Sequence, residues 1–206
     1  MTPIEAALPV ETRFLGGAVC LDFANTTEQL RSPKPIDWLS SYEVLLTWSR
    51  VRGTLDGDVV ERLARKALRE RQAAREIFAR ARDIRSDIRV VAAALASGQS
   101  TAKVLPRLNS SRADLPPQPA IVAWGNQMRF ELRGARLDEP LWPILWSLTA
   151  LLTSSDCRRI SRCEGHGCGY FFVDTTLNRS RRFCSTAGCG NRARARRHHA
   201  RRRTSA

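Results

Sequence analysis

The chain has 206 residues, 43% of them hydrophobic and 26% charged, and a formal net charge of +14. That length allows one substantial domain and a small second one, and the composition excludes a fibrous or disordered chain. No N-terminal stretch has the pattern of a secretion signal, and the most apolar window, 140–152, is too short to span a bilayer; a soluble cytoplasmic protein without a membrane partner is expected.

In chain order, the first dozen residues carry little pattern and read as a lead-in. Residues 14–17, Phe-Leu-Gly-Gly, lead into the apolar run 18–23, which reads as a short strand. A loop over 31–35 precedes a helix capped by Asp37 and running to about Arg50, ended by Gly53. From Asp58 to Ala96 apolar residues recur every three or four positions. That predicts one long helix or two nearly collinear ones, with a break falling most easily between Ala67 and Ala74, and the helix is a candidate dimer interface. Gly98 ends the pattern, and a short helix over 101–105 should stop near Pro106. After a proline-rich connector at 115–119, residues 121–132 read as a β-hairpin turning at Gly125-Asn126, its second arm alternating Met128, Phe130 and Leu132. Leu141 to Leu152 is an apolar helix whose Trp142 and Trp146 are placed in the core. Residues 153–156 form a short linker.

Beyond that linker the composition changes. Thirteen arginines stand against Glu164 and Asp174 in residues 157–206, leaving +11 of the +14 in fifty residues. Like charges so concentrated repel unless an anionic partner neutralises them, and phosphate backbone is that partner's chemistry. The segment has too few large apolar residues to fold by burial alone and needs a staple. Cys163 and Cys168, then Cys184 and Cys189, form two matched pairs with four residues inside each and fifteen between, crowded by glycines; Cys20 and Cys157 fall outside the pattern. Four thiolates suit one structural, tetrahedral zinc ion and leave no open position for water. His166 is an alternative ligand. Asn191 reads as the N-cap of a last helix or as a base reader, and Arg192 as a DNA contact or a brace paired with Asp174.

Cys189-Gly190-Asn191-Arg192, with the preceding 168–176 and 178–182 segments, resembles the signature of the CGNR zinc-finger family. Leu15-Gly16-Gly17 and the 21–26 segment Leu-Asp-Phe-Ala-Asn-Thr resemble the ABATE domain that usually precedes this finger. The resemblance implies a stress-induced bacterial transcription regulator. The departures are Phe183 where tryptophan is expected and Phe172 where leucine is usual.

The expected fold is α+β: a mostly helical N-terminal domain over 1–152 with a small sheet or hairpin, then a four-cysteine zinc finger over 157–203, treble-clef- or ribbon-like. Loss of Cys184 should then unfold the finger and spare the first domain. Arg179, Arg181, Arg182, Arg192, Arg194, Arg196 and Arg197 are the candidate nucleic-acid contacts, with double-stranded DNA as the expected partner, met on the nucleoid; an RNA- or protein-binding module is the alternative. Asp22 and Asn25 could line a pocket for a small-molecule effector, or make turn hydrogen bonds. A homodimer fits such a regulator. No histidine precedes His166 and no catalytic constellation is visible, so an enzyme is not expected.

Overall fold

A computed structural model describes residues 14–28, 34, 36–113, 120–124, 127–131 and 136–204. The expected lead-in, most of the 31–35 loop, the 115–119 connector, the Gly125-Asn126 turn and Leu132 lie outside the described residues, as do the side chains of Met128 and Phe130.

Within this range the architecture is α+β and mostly helical. Helix α1 (Val19–Ala24) lies where a strand was expected. Its residues Cys20, Leu21, Phe23 and Ala24 are all at most 1% exposed. A six-residue segment buried on every side has no polar face, and without one the period cannot separate helix from strand. The short β1 (Thr27–Glu28) and β2 (Ile36–Asp37) pair antiparallel. Helix α2 (Tyr42–Arg52) is capped by Ser41, whose hydroxyl accepts from the Val44 N–H, rather than by Asp37. Asp37 is instead gripped by Arg85, with Nη1 to Oδ1 at 2.7 Å. Gly53 ends α2 in the left-handed conformation, φ 73°, as its position implied.

The long periodic stretch is two helices, α3 (Gly57–Arg69) and α4 (Arg71–Ala96), breaking at Glu70 inside the predicted interval. Helix α4 is the spine of the molecule. Ala81, Ile84, Ile88, Val91 and Ala92 are at most 1% exposed, so its apolar stripe packs inside the chain, against α1, α2 and the C-terminal strands. Helix α5 (Leu105–Ala113) begins where the preceding stretch was expected to stop. Pro106 sits in its first turn, where a missing N–H costs nothing, so it starts a helix instead of ending one. Strands β3 (Ala120–Trp124) and β4 (Gln127–Glu131) form the expected hairpin. A 3-10 turn, Glu139–Leu141, opens α6 (Trp142–Thr153), whose Trp142 is buried and Trp146 partly so.

The expected linker is the end of α6 followed by a second 3-10 turn, Ser155–Arg159, started by the Ser154 hydroxyl. It delivers the chain directly to β5 (Ile160–Arg162), which pairs antiparallel with β6 (Phe171–Val173), Ile160 opposite Val173. Ile160, Phe171 and Val173 belong to the same hydrophobic core as α1, α2, α4 and α6. The last helix, α7 (Asn191–Thr204), packs on the π-helical turn Thr186–Gly190 just before it.

Candidate metal centre and nucleic-acid interface

Cys163 follows β5 and Cys168 precedes β6, so the first pair closes the turn of a hairpin. Gly167 (φ 77°) and Gly169 (φ 81°) supply bends that an L side chain resists. Cys184 precedes the π turn and Cys189 lies within it; Ser185, at its start, accepts the Gly188 N–H at 3.1 Å and, through its carbonyl, the Gly190 N–H at 2.9 Å. The four sulfurs all lie within 4.8 Å of one another, and Cys163, Cys184 and Cys189 are buried.

These positions fit zinc. Thiolates about 2.3 Å from a tetrahedral ion stand about 3.8 Å apart. The Sγ atoms of Cys168 and Cys184 are 3.8 Å apart, and those of Cys184 and Cys189 are 3.7 Å apart, far beyond a disulfide bond. Cys163 Sγ accepts N–H groups from Cys184 (3.3 Å) and Gly165 (3.4 Å), as an anionic sulfur should. A Cβ on Gly165 would stand 2.8 Å from Cys189 Sγ, so any side chain there would crowd the cluster. The neighbouring Cys168 and Cys184 thiols hold Cys163 far below the ordinary thiol range, whereas contact with Cys163 pushes Cys168 up to about 12 and Cys184 upward as well. Sulfurs this close cannot all ionise without a cation among them. Bound there, one zinc ion is a structural cross-link between hairpin and helix. His166 is exposed and outside the cluster.

The finger is clamped to the N-terminal part by the segment that resembles ABATE. Asn25 acts as a strand substitute: its Nδ2 donates to Phe171 O (2.8 Å) and its Oδ1 accepts the Phe171 N–H (2.9 Å). Val173 N–H donates to Gly16 O at 2.9 Å. Gly17 adopts φ 78°, its Cβ position 3.4 Å from Val173. Asp22 holds the glycine loop, accepting the Gly16 N–H on Oδ1 and Arg52 Nε on Oδ2, both at 2.8 Å. Asp22 and Asn25 are thus buried and spent on protein partners; an open groove of about 440 Å³ lined by Lys66, Glu70, Arg80 and Asp138 lies elsewhere. Arg89 reaches the Ala24 carbonyl and sits 5.3 Å over the Phe171 ring.

The seven candidate nucleic-acid arginines divide sharply. Arg181 is a tertiary keystone, lying 4.3 Å over the Phe172 ring and donating to the carbonyls of Leu15, Phe183 and Cys184. Arg192 Nη2 contacts Cys189 Sγ at 3.1 Å and not Asp174. Arg182 is exposed but paired with Glu164, and Arg194 donates to Asn191 Oδ1 at 2.8 Å. Asn191 is therefore the exposed first residue of α7, while Ser185 caps the turn before it. Arg179, Arg196 and Arg197 are exposed, and their guanidinium groups make no hydrogen bond or ion pair among the described residues.

Asp174, 2% exposed, organises the 174–181 loop: Oδ1 accepts from Thr176 N and Oγ1, and Oδ2 from Arg181 N. Burial pushes this carboxyl up, but the Thr176 and Arg181 contacts outweigh it and hold the group below its ordinary value. The stability it contributes is complete above about pH 4 and is lost as pH falls through the lowered value. Asp174→Ala should cost the loop ~2 kcal/mol at neutral pH. Tryptic cleavage after Arg179 should then accelerate about tenfold or more, and an unchanged cleavage rate would contradict this role.

Two family models match the chain. The CGNR zinc finger covers residues 159–202, and ABATE, described as "Putative stress-induced transcription regulator", covers residues 17–155. Both describe regulator or zinc-finger types rather than enzymes. The curated proteins contain no match. No described helix is long and apolar enough to cross a membrane. The chain belongs to the ABATE family and carries a CGNR zinc finger.

Proposed function

We propose that this protein is a zinc-dependent regulator that binds double-stranded DNA through α7, its N-terminal domain (1–152) acting as the sensing or dimerising part and the finger (157–203) as the output. The observation that carries this reading is the state of α7. It bears seven arginines over 14 residues, and between Asn191 and Arg202 no side chain is buried. A helix ~21 Å long with no apolar face is poorly stabilised by itself and is completed by a polyanion. A B-form major groove about 12 Å wide admits such a helix, and arginine forks suit both phosphate and guanine edges. The protein would then act in the cytoplasm, on the nucleoid.

The test is binding of the full-length zinc-loaded protein to genomic duplex fragments across a salt series. Affinity should fall steeply with salt, and the Arg196→Gln/Arg197→Gln double variant should lower the slope of log K against log salt by about 2. No duplex binding at low salt, or a clear preference for RNA, would overturn the proposal. An RNA preference would move the reading to an RNA-binding module.

A further inference from the structure

We infer that Arg192 is a positioning residue of the zinc site and not a phosphate contact, although it lies among the arginines offered to nucleic acid. Four thiolates around one dication carry a net charge of −2, and sulfur ligands of this kind are held by donors around them. Cys163 takes its donors from the backbone, at Gly165 and Cys184. Cys189 is 3% exposed and receives the Arg192 guanidinium at 3.1 Å, a charged donor bridging three residues along the chain.

The placement ties two features together. Arg192 stands in the first turn of α7, and α7 packs on the Thr186–Gly190 turn that contains Cys189. The contact to Cys189 therefore fixes the exit angle of the helix that carries Arg196, Arg197, Arg201 and Arg202. It also offsets the negative charge of the metal centre at the root of a surface meant for a polyanion. Arg194, two residues on, is occupied by Asn191. In the first turn of α7, Arg192 is therefore the arginine that reaches the cluster, while Arg194 stays exposed on the helix. Lysine could place a charge near Cys189 but not a planar fork, so it should substitute in part.

The experiment compares wild type, Arg192→Gln, Arg192→Lys and Arg196→Gln as full-length zinc-loaded proteins. Zinc release to a chromogenic chelator should be 10–100-fold faster in Arg192→Gln, as for other residues that support metal ligands, and intermediate in Arg192→Lys. The sulfur-to-metal charge-transfer band of the Co²⁺-substituted protein should shift in Arg192→Gln and stay in place in Arg196→Gln. In duplex titrations the salt slope of zinc-loaded Arg192→Gln should match wild type, whereas Arg196→Gln should lower it by about 1, and an equal drop in both would overturn the inference. Zinc release and a Co²⁺ spectrum unchanged in both Arg192 variants would overturn the inference. The metal readouts need no DNA, so failure of the DNA-binding proposal would show separately, as a wild-type protein that ignores duplex.

Discussion

Replacing Cys184 with serine should lower the melting temperature of the N-terminal core by roughly 10–20 °C, even though Cys184 itself lies in the finger. The two parts share one interior. Ile160, Phe171 and Val173 are 5%, 1% and 4% exposed and pack with the residues of α1, α4 and α6. If the cluster loses a ligand, the hairpin β5–β6 is no longer closed at its turn and these three side chains leave the core. Burial of three such groups is worth on the order of 5 kcal/mol, and in a chain of this size each kcal/mol moves the midpoint by about 2–4 °C. This replaces the expectation that the substitution would leave the first domain largely intact, since the finger's strands are part of that domain's core. The assay is direct, because all five tryptophans lie between Trp38 and Trp146 and report only the N-terminal part. Thermal unfolding is followed by tryptophan fluorescence with zinc, with excess chelator, and in Cys184→Ser. A fluorescence transition that stays at the wild-type temperature after zinc is lost would refute the shared core.

The metal site was legible in the chain because its signal is local. Matched cysteine pairs set in glycines require nothing beyond their neighbours, and the break at Glu70 shows as a gap in a period of three to four residues. What stayed hidden is tertiary. Arg181 and Arg182 are adjacent and identical in type, yet one is stacked on Phe172 and threaded among carbonyls while the other pairs with Glu164 at the surface. Charge counting treats them alike. The α1 segment was misread for a related reason: burial on all sides removes the polar face that periodicity needs. Asn25 illustrates the limit best, since its partner Phe171 is 146 residues away and nothing within 21–26 hints at it. A turn-forming residue and a clamp look the same in sequence.

That clamp makes the second large effect one of action at a distance along the chain: Asn25→Ala should weaken zinc binding by about a hundredfold. The Asn25 amide satisfies both the N–H and the C=O of Phe171, and its orientation follows from that pairing, since only an oxygen can accept the Phe171 N–H. Alanine leaves two buried backbone groups without these partners, at a cost of ~1–2 kcal/mol each and about 3 kcal/mol together. The cost falls on the docked strand β6. Because a finger without its metal lacks the means to hold that strand, zinc binding and strand docking form one linked equilibrium, and each 1.4 kcal/mol taken from docking costs a factor of ten in zinc affinity. Competition with a chelator of known affinity measures it, and zinc affinity within twofold of wild type would exclude the coupling. The linkage is reciprocal, so whatever ligand or partner stabilises α1 and the Gly16–Gly17 loop must also tighten the zinc site and favour the state in which α7 is presented. In Asn25→Ala that route is cut at Phe171. Zinc should then raise the tryptophan-reported midpoint by clearly less than in wild type, while the residues of the metal centre remain unaltered.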